Sequence, residues 1–192
     1  MSNILKDYPK EIILKDGTGV TIRTFQEGDG DLLSRMLNRL SLDERWFLGQ
    51  GSTDPGSMND RAVNIDLNRA ISLVAVLEGS IISLATLTGK YHGAGSHIGK
   101  VRISVDPSFR EKHLGTWMLL ALINLAISMG LEILVMELVE GRDSSVIQGV
   151  KKLGFLKEAV LKGYLKDRDG NHYDLAITIK HLNRLWDQNQ SS

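Results

Sequence analysis

Val101-Arg102-Ile103-Ser104-Val105-Asp106-Pro107-Ser108-Phe109-Arg110-Glu111-Lys112-His113-Leu114-Gly115-Thr116-Trp117-Met118-Leu119-Leu120 is the stretch on which the reading of this chain turns. Arg102 to Val105 closes a β-branched apolar run and predicts the end of a strand. Asp106-Pro107-Ser108 stops it, because proline has no N–H for a ladder and the triplet favours a turn. From Leu114 to Met129 nearly every residue is apolar or a good helix former, which predicts a buried helix. The loop between them carries Arg110, Lys112 and His113 and opens onto the helix start. First-turn N–H groups have no intrahelical partner and sit at the positive end of the helix dipole, so a phosphate suits that position. A plain strand–loop–helix link with solvated basic residues reads equally well from this window alone.

Around this stretch the chain is read as one domain, residues 10–180, with terminal extensions at 1–9 and 181–192. Its 192 residues are enough for a full core, and 42% apolar and 24% charged residues are ordinary for a globular protein. Lys+Arg and Asp+Glu are both 23, which argues against a nucleic-acid or polybasic membrane partner. With no cysteine there is no disulfide, thiolate metal site or cysteine nucleophile, and no metal is expected. The first residues lack the apolar core of a signal peptide, and the apolar run from Trp117 to Ile127 is too short to span a bilayer. A cytoplasmic location is the expectation.

Residues 1–10 read as a poorly ordered lead-in. Ile12 to Leu14 and Val20 to Arg23 predict a hairpin about Asp16-Gly17-Thr18-Gly19. Leu32, Leu33, Met36, Leu37 and Leu40 stand at helical spacing behind capping residues in Glu27 to Asp31. Ser41 and Glu44 have capping-box spacing and predict a second, short helix. Gly49 to Asp60 reads as a loop and Arg61 to Asn68 as a short helix. Ile71 to Val76 and Ile81 to Leu87 predict a hairpin, and the turn Tyr91 to Ser96 leads into a strand His97 to Val105. Beyond the central helix come a strand Ile133 to Leu138, a helix Ser144 to Leu153, and a hairpin of Phe155 to Tyr164 with His172 to Ile179. The predicted fold class is mixed α/β (α+β): a mostly antiparallel, twisted sheet of about six to seven strands flanked by helices, with a central β-α-β crossover.

Taken together, these pieces resemble the GNAT superfamily of acyl-CoA-dependent N-acyltransferases. Val105-Asp106-Pro107 with Arg110 to Gly115 is similar to the family's pyrophosphate motif, Arg/Gln-x-x-Gly-x-Gly/Ala. Lys152-Leu153-Gly154-Phe155 is similar to its Lys-Leu-Gly-Phe signature. Asp16-Gly17-Thr18 with Val20 to Arg23 resembles the opening strands, and Asp167 to Gly170 with His172-Tyr173-Asp174 the closing hairpin. The resemblance implies acetyl-CoA as cosubstrate, lodged where the strands His97–Val105 and Ile133–Leu138 splay apart. It implies an amine-bearing small molecule or protein as acceptor and direct attack on the thioester; the central helix, apolar almost all round, leaves its cover open between the N-terminal helices and a second subunit of a homodimer. The implied coenzyme-binding residues are Ser104, Val105, Arg110, Lys112, His113, Leu114, Gly115, Thr116 and Asp143. Amides near Ser104–Val105 would steady the oxyanion.

The chain departs from the pattern at four positions. His113 replaces the first motif glycine, which implies about 1–3 kcal/mol of strain if the loop keeps the family shape. Felt only on binding, that is about 10- to 100-fold in affinity. Asp143 and Val150 stand where many relatives carry Asn and a general-acid Tyr, with Ser145 or a water left to supply the proton. Lys100 stands where some carry a general-base Glu, leaving His97, Glu137 and Glu44 as substitutes. The catalytic residues are therefore unassigned at this level. Two functions follow: an N-acetyltransferase, or a catalytically impaired acyl-CoA sensor or protein-interaction domain. A P-loop nucleotide binder is excluded, because Gly-x-x-x-x-Gly-Lys-Ser/Thr is absent.

Overall fold

The computed structural model describes residues 5–48, 70–89 and 92–182. The expected loop at 49–60, the expected helix at 61–68 and Tyr91 of the expected turn lie outside them. Among the described residues there are eight strands: β1 Lys10–Ile13, β2 Gly19–Thr24, β3 Ala70–Leu77, β4 Ser80–Gly89, β5 Ile98–Val105, β6 Ile133–Val139, β7 Leu156–Lys166 and β8 His172–His181. The helices are α1 Gly30–Asn38, α2 Leu42–Phe47, α3 Leu114–Ser128 and α4 Ser144–Lys152, with a short 3-10 turn at Pro107–Phe109. All eight strands join one sheet in the order β1-β2-β3-β4-β5-β6-β8-β7. Every neighbouring pair is antiparallel except β5 with β6.

Six to seven strands were expected and eight are present. The N-terminal hairpin is part of the main sheet, because β2 continues it through Thr21–Val76 to Thr24–Leu73. The β3–β4 hairpin turns at Glu78 and Gly79, whose φ values of 48° and 74° are both left-handed. Such a two-residue turn matches the right-handed twist of its strands, and glycine there carries no Cβ penalty.

The sheet is covered on both faces. One face carries Leu73, Ala75, Ala85, Leu87, Val101, Leu134 and Met136, packed in one cluster with Met118, Leu119, Leu122 and Ala126 of α3. The other carries Val74, Ile81 and Leu84 against Leu33, Met36 and Leu37 of α1. Alternate strand residues therefore serve different helices, as period two requires. The central helix is apolar almost all round, yet the N-terminal helices do not cover it, since α1 lies across the sheet from it. Its cluster instead draws in Ile12, Leu14, Val20 and Ile22 of the N-terminal hairpin, Val150 and Phe155, while Ile127 stays exposed. Leu5 and Tyr8 also pack on this core, so residues 5–8 are more than a loose lead-in.

The Ser41–Glu44 capping box is present, with Glu44 N–H to Ser41 Oγ at 3.1 Å and Ser41 N–H to Glu44 Oε2 at 2.9 Å. At α1 the capping expectation is corrected. Asp29 holds the N-cap position, but its carboxylate accepts from the Arg23 guanidinium at 2.6 and 2.8 Å and from the Gln26 amide at 2.8 Å. A charge-assisted bidentate pair outcompetes a single amide bond.

Candidate active site

The parallel strands β5 and β6 pair only at Ile98–Ile133, Gly99–Leu134 and Lys100–Val135. β5 runs on to Val105 bound to β4, and β6 runs on to Val139 bound to β8, so the two part after Lys100 into a V-shaped cleft. The closed end is tight: a Cβ on Gly99 would stand 2.8–3.0 Å from side-chain carbons of Leu87, Leu131 and Leu134. Asp106 N–H binds Ile82 O at 2.9 Å, which sets the alternation along β5. Arg102 and Ser104 therefore turn their main-chain groups toward β4, while Ile103 and Val105 turn theirs into the cleft. Of the pair Ser104–Val105, only Val105 has its amide on the cleft side. Its carbonyl accepts from Arg110 Nε and Nη2, both at 3.3 Å.

The loop after β5 is fastened at its root. Asp106 Oδ1 accepts from Ser108 N–H at 2.9 Å, and Oδ2 meets Arg39 Nε, which reaches over from the end of α1. Glu111 and His113 both lie in the left-handed region, at φ 61° and 65°. His113 is the N-cap of α3 and is exposed, with no side-chain capping bond. The first helical bond is Trp117 N–H to His113 O, so the amides of Leu114, Gly115 and Thr116 precede it. Leu114 is fully buried, while Gly115 is half-buried. Thr116 is exposed beside it. Lys112 is spent locally, with Nζ 2.9 Å from Asp16 Oδ2 and over the Phe109 ring. The Lys112 bond, helped by Thr18, holds the Asp16 carboxyl down at about 2.

Gly115 is the informative residue here. It sits in the first turn of a helix, where glycine costs about 1 kcal/mol relative to alanine. The protein's own packing does not require it, because a Cβ there would meet only Val105 Cγ2 at 3.7 Å. Backbone whose first-turn amides have no intrahelical partner and no side chain above them is what a diphosphate needs for close approach.

His113 has a left-handed φ of 65°, which costs a non-glycine residue on the order of 1–3 kcal/mol. His113→Gly is expected to stabilise the fold by about 1 kcal/mol, after the extra chain entropy of glycine is set against the relieved strain. Thermal unfolding checks this, and a lowered Tm would mean that the imidazole makes contacts worth more than the strain.

The opposite wall is the end of β6 and the start of α4. Asp143 Oδ2 accepts from Val139 N–H at 2.7 Å, and Asp143 N–H donates to Val139 O at 2.9 Å. Burial pushes the Asp143 carboxyl above its ordinary 3.8, against the Val139 bond and the Arg142 charge. A raised acid destabilises the fold at pH values above its folded pKa and not below its unfolded one. Asp143→Asn keeps an acceptor for Val139 and removes the cost of holding a charge there, so it is expected to raise Tm at pH 7. The gain should shrink as pH falls toward 4; an equal gain at both pH values would exclude ionisation as its cause.

Val150 is buried in the core cluster rather than lining the cleft, and Ser145 is exposed on the first turn of α4. Glu44 is fully committed. Its Oε1 lies 2.7 Å from Arg110 Nη2, and its other oxygen closes the capping box. Burial raises its pKa, but the Ser41 bonds and Arg110 outweigh that and keep it below the ordinary range. His97 precedes β5 at the closed end, its carbonyl taken by Glu132 and Ile133 amides, remote from the open cleft. Glu137 is the substitute the geometry retains. It projects from β6 just past the last β5–β6 pair, on the α1 face, with Oε2 2.7 Å from Lys100 Nζ.

α2 spans the cleft mouth on this face. Trp46 Nε1 donates to Lys166 O at 2.8 Å, Phe47 meets Tyr173 edge to face at 5.4 Å, and Arg142 lies over Phe47 while pairing with Asp43. These long-range ties, with Arg39–Asp106, have no signal in local sequence.

A family model described as Acetyltransferase (GNAT) family matches residues 38–155. No curated protein sequence matches the chain. Solved structures share the fold. An acetyltransferase of the GNAT family from Streptococcus pneumoniae is 23% identical, with TM-score 0.69, covering 84% of this chain and 99% of its own. An N-acetyltransferase from Staphylococcus aureus Mu50 is 19% identical, with TM-score 0.73, covering 86% and 99%. The ribosomal-protein-S18-alanine N-acetyltransferase from Escherichia coli is 18% identical, with TM-score 0.66, covering 88% and 97%. The splayed parallel pair, the unpaired first-turn amides of α3 and a family match over more than half of the chain agree: the chain belongs to the GNAT family of acetyltransferases.

Proposed function

We propose that the chain transfers an acetyl group from acetyl-CoA to an amine. The observation that carries this is the cleft: cleft-facing β5 main-chain groups at Ile103 and the Val105 amide lead to a loop and a helix start whose first turn carries the bare Cα of Gly115. In this reading those amides and Arg110 hold the diphosphate. The pantetheine arm follows β5, and the thioester reaches the closed end beside Glu137. A cleft-facing amide of β5 steadies the oxyanion in a site partly shielded from water.

Glu137 takes the proton from the bound ammonium, and the freed amine attacks the thioester carbonyl. The C–N bond forms, and the C–S bond breaks as the second amine proton is lost. One proton ends on the departing thiolate and one passes through Glu137 to solvent. A thiol of pKa ~8.5 leaves tolerably as the anion, so the absence of a tyrosine at Val150 slows the reaction without forbidding it. The buried Val150 also supports the second reading, an acyl-CoA sensor with little turnover.

Thermal unfolding with CoA and acetyl-CoA, followed by thiol release over an amine panel, tests both. A ligand selective for the native state raises Tm by mass action, by about 2.7 kcal/mol at a hundredfold excess over Kd. No shift at millimolar coenzyme removes both readings. A shift without thiol release leaves the sensor.

A further inference from the structure

On the α1 face, a row of side chains crosses the sheet at the closed end of the cleft. Ser72 of β3 is opposite Thr86 of β4, and Thr86 is opposite Arg102 of β5. Lys100, the last residue of β5 to pair with β6, reaches Glu137 of β6, and Arg102 stands two residues on from Lys100 on the same face of β5. Among the described residues, Lys100 and Arg102 on this face of β5 stand near one carboxylate, Glu137, an excess of one positive charge. Lys100 and Glu137 are each partly open to solvent. The exposed Arg102 guanidinium has a single hydrogen-bond acceptor among the described residues, the Leu48 carbonyl at 3.1 Å. Ser72, at the far end of the row, is buried with its hydroxyl unbonded among the described residues, a loss a polar ligand group would repair.

We propose that the acceptor is an amine carrying a carboxylate a few bonds away, as an α-amino acid does, its ammonium on Glu137 and its carboxylate between Lys100 and Arg102. This rests on the acetyl-transfer reading above. Lys100 Nζ already lies 2.7 Å from the Glu137 carboxylate, so a zwitterion only a few bonds long can pair with both sides. A free polyamine would bring more positive charge to a site that already has an excess. The Lys100–Glu137 pair becomes the resting state of the site. An incoming ammonium displaces Lys100, which turns to the carboxylate. Acetylation then removes the amine's charge, and Glu137 returns to Lys100, favouring product release.

The test is thiol release by the full chain with acetyl-CoA and three acceptor sets: common α-amino acids, their C-terminal amides, and aliphatic diamines. The expected result is a kcat/KM about 10- to 100-fold higher for an acid than for its own amide, the range of a charge-assisted bidentate contact. Arg102→Met should collapse that ratio toward one through KM rather than kcat, and Arg102→Lys should restore part of it. Parity of acid and amide, preference for diamines, or no acetylation of any amino acid overturns the proposal. A coenzyme-induced rise in Tm separates the failures. If it persists, only the acceptor assignment is lost; if it is absent, the acetyl-transfer reading goes too.

Discussion

Glu137→Gln is expected to lower kcat/KM by about 10²- to 10⁴-fold near neutral pH, or ~3–5 kcal/mol of transition-state stabilisation. Glutamine keeps the shape and a carbonyl acceptor but cannot take a proton from an ammonium. The fold should hardly notice. Glu137 and Lys100 form a partly exposed pair on the cleft wall, worth about 1 kcal/mol at most. The coenzyme-induced rise in Tm should also survive, since the proposed diphosphate contacts lie on the loop at Arg110 and 114–116. The deficit should depend on pH in a defined direction. An α-amine titrates near ~8, so above that value the acceptor arrives deprotonated and the variant should recover toward the parent. Parallel pH–rate profiles decide the matter. A variant that is slow by the same factor at every pH would give Glu137 a positioning role, and one as fast as the parent would remove it from the reaction.

Local pattern carried much of this architecture. The strand–turn–helix at 101–128 was legible because proline ends a ladder and an unbroken apolar run of good helix formers follows. The Ser41–Glu44 box was legible because capping needs a fixed spacing of three. The register that opens β5 from β6 was not, since it depends on which strand each of the two follows: β4 for one and β8 for the other. β7 shows the limit in another form. The strand itself is legible, but its two register shifts against β8 are not. At the site, the loop residues were reachable because they are contiguous. The ties Arg39–Asp106, Arg110–Glu44 and Lys100–Glu137 join residues far apart in sequence, and charge alone does not say which cation meets which anion. Glu44 illustrates the consequence: as a bare carboxylate it was a plausible base, and its neighbours make it a structural one.

Asp106→Ala is expected to destabilise the fold by about 2–3 kcal/mol. Asp106 is 2% exposed, and its carboxylate is the acceptor for both the Ser108 amide and the Arg39 guanidinium. Alanine leaves the amide without its bond and the arginine without its counter-charge. The loss stays below that of a fully buried pair because the Arg39 side chain is 41% exposed and can rehydrate, and because its Nη2 keeps the Ile81 carbonyl at 2.9 Å. Asp106→Asn retains an acceptor for Ser108 and should lose only about half as much. Combined with Arg39→Met, it should cost less than the two single changes together, the mark of a direct pair. The functional consequence follows from where the residue stands. The 3-10 turn that Asp106 caps starts the loop carrying Arg110 and Gly115, and Arg39 ties that turn to α1 on the opposite face from α3. In Asp106→Ala, then, coenzyme affinity should fall further than the folded fraction accounts for, whereas Asp106→Asn should bind nearly as the parent does. Equal coenzyme affinity in the folded fraction of all three proteins would show that this anchor serves stability alone and that the loop holds its shape through Glu111, His113 and the start of α3.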